Sequence, residues 1–167
     1  MLKIINDLKP YFEDNYKRIH VREYAKLQNI SPPTASKLLE ELKEKQLLRK
    51  EIDKKHYCFY ANKESEDFKD LQRMYYRKKL NDLIKHIDRE TISPLIILFG
   101  SIAKAEAKKQ SDIDIAIITP TQKTIDVKKF ESTLKRNIQL FNFKNLDDIP
   151  TELKNNILNG YILHGSF

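Results

Sequence analysis

The chain has 167 residues, 40% of them apolar and 33% charged, with a net charge of +7 and an isoelectric point near 9.3. That length suits one ordinary domain or two small ones, and no apolar run reaches the roughly 18 residues that a membrane-spanning helix needs. The opening MLKIINDLKPYF is too broken by charge for a signal peptide, and Cys58, the single cysteine, excludes an internal disulfide or a cysteine-built zinc site, so the expected setting is cytoplasmic with no membrane partner.

The positive surplus is uneven. Residues 1–90 carry 21 Lys/Arg against 16 Asp/Glu, and residues 91–167 carry 10 against 8. A basic first half suits a polyanionic partner such as nucleic acid, and equally a solubility surface. Leu2, Ile5, Leu8 and Phe12 recur at helical spacing and predict a short amphipathic helix. Ile19-His20-Val21 reads as a brief extended piece, Arg22 to Leu27 as a second helix and Asn29-Ile30 as a turn. In SPPTASKLLEELKEKQ, Ser31 is placed to cap a third helix, with Pro32 at its first position, where a missing N–H costs nothing. Ala35, Leu38, Leu39 and Leu42 share its inner face, leaving Thr34, Ser36, Lys37 and Glu41 outside. Leu47 to Glu51 and His56 to Tyr60 predict two strands joined by a turn at Ile52-Asp53-Lys54-Lys55.

This succession, over roughly residues 2–62, resembles the winged helix-turn-helix family of prokaryotic regulators. The resemblance implies a recognition helix beginning at Ser31 and entering the major groove, with Thr34, Ser36 and Lys37 near phosphates or base edges. It also implies a wing whose Lys54 and Lys55 track the adjacent backbone, and so makes duplex DNA the expected partner. Folds of this kind serve as protein-docking or dimerisation modules as well.

From Glu64 to about Arg89 an imperfect apolar stripe through Phe68, Leu71, Met74 or Tyr75, Lys78 or Lys79, Asp82 or Leu83, and Ile87 predicts one connecting helix, about 39 Å long at 1.5 Å per residue. The same stripe is compatible with a homodimer. Beyond Ser93-Pro94 the pattern changes. Leu95 to Phe99 suits one buried strand, Gly100-Ser101 ends it, and Ile102 to Lys109, rich in Ala and Lys, suits a helical turn. The strand Ser111 to Thr119 follows. Alternation puts Ile113, Ile115 and Ile117 on one side and Asp112, Asp114 and Ala116 on the other, with the two acids about 7 Å apart along the strand.

Two carboxylates that close repel, and burial raises the cost unless a counter-charge stands between them. Mg2+ is such a charge: it takes hard oxygen ligands, keeps several waters, and commonly uses one or two carboxylates plus substrate phosphates. Gly100 permits close backbone approach, and the N–H groups beyond it, with the Ser101 hydroxyl, suit a phosphate at a helix start. The plainer reading, an edge strand with two solvated aspartates, leaves Gly-Ser and its spacing unexplained.

A strand ending in Gly-Ser, a gap of nine residues, then Ser-Asp-x-Asp running into apolar residues resembles the DNA polymerase β-like nucleotidyltransferases, most closely their small prokaryotic branch, the minimal nucleotidyltransferases. The likeness extends from about Ile92 to Phe167. It implies Asp112 and Asp114 as catalytic residues and Mg2+ ligands. Gly100, Ser101, Lys104 and Ser111 would be nucleotide-binding, with a nucleoside triphosphate as substrate. The implied reaction moves a nucleoside monophosphate to a hydroxyl of a protein (a toxin partner is one precedent), a nucleic acid end or a small molecule. Two departures stand out. The family's third carboxylate comes from a later strand, and the matching position in the predicted strand Asn137 to Phe143 is Gln139. Asp126, Glu131, Asp147 and Asp148 lie on predicted helices or loops, with Asp147-Asp148 expected to cap a helix from about Pro150 to Leu158. In addition, Lys104-Ala105 stands where the small branch often has Arg-Gly. Tyr161 to Gly165 reads as a last strand, and His20, His56, His86 and His164 show no metal-ligand spacing.

The expected class is therefore α+β: a winged helix-turn-helix over residues 1–63, a connecting helix over 64–90, and a small α/β nucleotidyltransferase fold with a mixed sheet over 91–167. Two functions are compatible with this. One is a DNA-binding protein that binds Mg2+-nucleoside triphosphate and transfers a nucleotide. The other is a non-catalytic transcriptional regulator whose second domain senses nucleotide or mediates assembly. Gln139 favours the second reading; Gly-Ser and both aspartates favour the first.

Overall fold

In the computed structural model, which describes residues 2–53 and 56–166, the described residues form eight α-helices and two sheets. The class is α+β, as expected. The chain makes two compact units, one from residues 1–75 with 105–109, the other from residues 76–104 with 110–167. No helix among the described residues is long and apolar enough to cross a membrane. The expected wing residues Lys54 and Lys55 lie outside the described residues.

The first unit begins with α1 (Lys3–Glu13), β1 (Ile19–His20), α2 (Val21–Gln28) and α3 (Pro32–Glu44). Asn29 closes α2 in the left-handed region at φ 54° and donates its N–H to the carbonyls of Ala25 and Lys26; asparagine tolerates this conformation better than most residues. At the start of α3 the Ser31 hydroxyl accepts the Thr34 N–H at 3.3 Å, with Pro32 at the first helical position. Strands β2 (Leu48–Asp53) and β3 (His56–Ala61) pair antiparallel, and β1 joins the far side of β3. β2 runs two residues beyond the expected strand, pairing Asp53 with His56. Leu8, Tyr11, Phe12, Tyr24, Leu39, Phe59 and Phe68 are fully or almost fully buried, so one apolar core is shared by α1, α2, α3, the hairpin and α4 (Glu66–Lys79).

The helix expected over residues 64–90 is two. α4 ends at Lys79, buried Leu80 adopts φ −92° and ψ 2°, and α5 (Asn81–Glu90) follows. Arg77, Lys78 and Lys79 close α4 and Asp82 opens α5. Each charge complements the dipole end of its own helix, so the charge pattern itself marks the break.

In the second unit β4 (Leu95–Phe99), β5 (Ile113–Ile118), β6 (Ile138–Phe143) and β7 (Tyr161–His164) form a sheet in the order β6-β5-β4-β7. β5 and β6 run parallel and the other pairs antiparallel, which makes the sheet mixed. α6 (Gly100–Ala103) follows β4, α7 (Lys128–Leu134) precedes β6, and α8 (Thr151–Leu158) precedes β7. Leu95, Ile97, Phe99 and Ala116 pack against Ile149 and Ile157, with Phe141, Phe143 and Leu153 around them. Ile96, Leu98, Ile113, Ile115 and Ile117 point the other way and are fully buried too. Asp147 and Asp148 do not cap α8. They form a 3-10 turn whose N–H groups are themselves capped by the Asn145 side chain, at 2.9 and 3.1 Å, because the extended Pro150 enters α8 directly.

α6 is also shorter than expected. It stops at Ala103, and Ala105 turns to φ 57°. The following backbone is claimed by the first unit: Asn15 donates its N–H to the Ala107 carbonyl and its side-chain oxygen accepts the Ala107 N–H, each at 2.8 Å. Two bonds from one buried residue outweigh the helical preference of Ala and Lys. The Asn15 amide nitrogen also donates to the Tyr11 carbonyl and to Gln72 Oε1, at 2.9 and 2.6 Å. Asn15→Ala is expected to cost about 1–3 kcal/mol, the penalty for leaving a buried polar group unpaired. It should also speed amide exchange at Ala107, checked by urea unfolding and hydrogen–deuterium exchange.

Candidate active site

The polar end of one sheet face gathers most of the motif residues. Side chains alternate along a strand, so Asp114 shares its face with Ala116, and Gln139 shares its face with Phe141. In register, Phe99 of β4 stands opposite Asp114, and Asp114 stands opposite Gln139 of β6. Phe99 and Phe141 meet edge-on with ring centroids 5.3 Å apart. A carboxylate and an amide thus crown an apolar layer at the mouth of the sheet.

Gly100 leaves β4 at φ 72°, a conformation that disfavours any residue with a Cβ, and a Cβ there would fall on the Asp114 carboxylate. Asp114 is accordingly half-buried. Burial first, and the charge of Asp112 second, hold its carboxyl above the usual aspartate value. Asp112 lies just before β5. Its Oδ2 accepts a 2.6 Å hydrogen bond from Gln139 Nε2, so the residue at the expected third-acid position is engaged with the first acid. Ser101 continues into α6, which is a single turn of four residues. Any phosphate held there would answer to individual N–H groups and the hydroxyl, since a helix so short has little macrodipole. Lys104 closes α6 and donates to Asn156 Oδ1 of α8 at 2.7 Å.

Ser111 is held through its backbone. Arg136, 6% exposed, donates to the Ser111 carbonyl. The motifs of the sequence point to neither Arg136 nor Asn156. Arg136 carries a faint signal, since it is the only arginine after residue 89; Asn156 carries none. Of the other acids, Glu131 accepts the Ile138 N–H at 2.9 Å, Asp126 binds the Lys128 N–H at 3.0 Å, and Asp147 pairs with Lys154. These roles give them partners away from the Asp112–Asp114 pair. Among the described residues no group of three or more His, Cys, Asp or Glu gathers that could hold a metal ion. Two carboxylates are still a fitting donor set for one hard cation that completes its shell with water and phosphate oxygens.

The candidate DNA-facing residues sit on α3 in the first unit. Thr34 and Lys37 are exposed and Ser36 is partly buried, and the Thr34 hydroxyl is already bonded to Ser31 Oγ at 2.8 Å.

The family model described as "Polymerase beta, Nucleotidyltransferase" matches residues 78–166, more than half of the chain. The chain belongs to the polymerase beta nucleotidyltransferase family. No curated protein matches it. The nucleotidyltransferase domain covers β4 to β7 and therefore the whole Gly100–Asp114–Gln139 cluster. Domains of this family act on nucleoside triphosphates and generally use a divalent cation such as Mg2+.

The sign of the Asp114 shift gives a measurable consequence. Its folded carboxyl binds a proton more tightly than the unfolded one, so the fold is penalised wherever the unfolded aspartate is ionised. The penalty is full above the raised folded value, shrinks as pH falls through it, and vanishes below the ordinary 3.8. In EDTA, Asp114→Asn should melt higher than wild type at pH 7, with the gap closing as the buffer is taken below pH 3.8.

Proposed function

We propose that the nucleotidyltransferase domain binds a Mg2+-nucleoside triphosphate and transfers its nucleoside monophosphate slowly, with binding outlasting turnover. The observation that carries this reading is Gln139: it faces Asp114 across β5–β6 and its amide donates to Asp112. Asp112 and Asp114 would hold the cation. The Gly100 and Ser101 backbone and hydroxyl would hold the outer phosphates, Lys104 would neutralise them, and Ser111 would shape the turn beneath. The cation, when bound, screens the two aspartates and polarises the phosphates.

Transfer requires a hydroxyl oxygen to bond to the α-phosphorus while the bond from that phosphorus to the bridging oxygen breaks, releasing pyrophosphate. The hydroxyl proton needs an acceptor. Gln139 cannot take it, and loss of a general base typically costs about 10²- to 10⁴-fold in rate. The acceptor class follows from the hydroxyl alone: a protein side chain, including that of a toxin partner, a nucleic acid end or a small molecule. The same amide favours a second reading, in which the domain senses nucleotide or mediates assembly without turnover. Labelled ATP, CTP, GTP and UTP with Mg2+ and cell lysate separate the two. Label transferred by wild type and lost in Asp112→Ala/Asp114→Ala is the expected result, with Gln139→Asp raising the rate at least about tenfold. Triphosphate binding with no transfer in any variant would leave only the sensor.

For the first unit we propose a winged helix-turn-helix that binds duplex DNA, with α3 as recognition helix and a homodimer as one way to present two copies. The order helix, short strand, helix, helix, hairpin supports it, together with the basic surplus over residues 1–90. Thr34, Ser36 and Lys37 would meet the groove, and Lys54 and Lys55 the flanking phosphates. Binding should weaken steeply with salt. Replacing Lys37, Lys54 and Lys55 with Ala should flatten the log–log slope by about 0.9 for each phosphate no longer neutralised, measured by fluorescence anisotropy. An unchanged slope would move the DNA surface elsewhere.

A further inference from the structure

Residues 136–139 meet residues 111–113 at three successive points. Arg136 Nη1 donates to the Ser111 carbonyl, the Asn137 carbonyl accepts the Ile113 N–H at 2.9 Å, and Gln139 Nε2 donates to Asp112 Oδ2 at 2.6 Å. The backbone bond is part of the parallel ladder and any sequence could make it. The two side-chain bonds depend on the residues that stand at positions 136 and 139. They differ in what they hold: Gln139 grips the carboxylate itself, while Arg136 grips the peptide from which that carboxylate springs.

Arg136 is unusual for a charged residue. It is 6% exposed, and arginine is almost never so buried without partners. Burying a guanidinium carries a large desolvation cost that only well-placed acceptors offset. The chain is shaped to bring it there. Lys135 ends α7 in the left-handed region at φ 55°, which reverses the backbone directly before Arg136, and Glu131 on α7 anchors the next strand by accepting the Ile138 N–H. Arg136 therefore reaches the Ser111 carbonyl from the β6 side, between a helix end and a strand start that are each held in place.

We infer that Arg136 is a positioning residue for the candidate cation site: it fixes the turn that carries Asp112, so that Asp112 and Asp114 present their oxygens to one ion. This rests on the reading that the pair binds a divalent cation. Arg136 touches neither the ion nor the nucleotide in this role. Groups that orient metal ligands from behind commonly cost about 10- to 100-fold in metal affinity when removed.

The test uses the full chain and three variants, Arg136→Met, Arg136→Lys and Gln139→Met. The first keeps the apolar stem, the second keeps charge without the planar fork, and the third cuts only the grip on the carboxylate. Hydrogen–deuterium exchange in EDTA, across peptides covering residues 108–118, reads the turn without any metal. Exchange at Asp112 and Ile113 should rise in Arg136→Met, rise less in Arg136→Lys, and stay near wild type in Gln139→Met. Mn2+ titration by electron paramagnetic resonance should then show at least about a tenfold loss of affinity in Arg136→Met, with partial recovery in Arg136→Lys. Exchange unchanged in a folded Arg136→Met protein overturns the inference, as does a faster-exchanging turn with wild-type Mn2+ affinity. If Arg136→Met does not fold, Arg136→Lys decides alone by the same two readouts. A wild type without Mn2+ affinity defeats the cation-site reading and, with it, the metal half of this inference, and the exchange pattern still decides whether Arg136 holds the turn.

Discussion

The parallel pairing of β5 with β6 brings Asp114 level with Gln139, and the chemistry available to the second unit depends on that register. A slip of one residue would turn Gln139 to the opposite face and set Ile138 or Leu140 beside the acid. What fixes the register is apolar: Phe141 and Phe143 must join the layer formed with Ala116, Ile97 and Phe99, under Ile149 and Ile157. The polar row at the sheet mouth is therefore placed by the hydrophobic rows behind it. Parallel strands also need a crossover connection. The stretch between β5 and β6, with α7 within it, makes that crossover and returns the chain at Lys135.

Within that frame the acid pair is held under tension. Asp114 lies against the Cα of Gly100, where no side chain fits, and its ionised form is disfavoured by burial and by Asp112. An amide at position 139 settles part of this by donating to Asp112. A carboxylate there would have added a third negative charge and demanded more cation. Glutamine makes the site quieter without metal and leaves it less able to accept a proton.

Much of this was legible in the sequence because the signals were local. Ser31 with Pro32, Asn29, and the alternation in β5 each follow from one residue's own preferences, and Gly100-Ser101 followed by Ser111-Asp112-Ile113-Asp114 declared the cluster. Gln139 was legible too, but only through the family resemblance, which implies an acid at the matching position of the later strand. The exceptions were set by partners far away in the chain. Ala and Lys over residues 104–109 look helical, yet Asn15, more than 90 residues earlier, takes the Ala107 backbone. Arg136 binds a carbonyl, and a carbonyl has no sequence signature. Lys104 meets Asn156 across 52 residues. The break at Leu80 lay between these extremes: opposite charges on either side of it were visible, and the continuous apolar stripe obscured them.

The division of the chain has one more consequence. Residues 105–109 group with residues 1–75 although both flanking stretches belong to the other unit. The polypeptide consequently passes between the two bodies three times, after residues 75, 104 and 109. The loop that Asn15 holds by the Ala107 backbone is thus threaded into the first unit from a chain that both enters it and leaves it through the second.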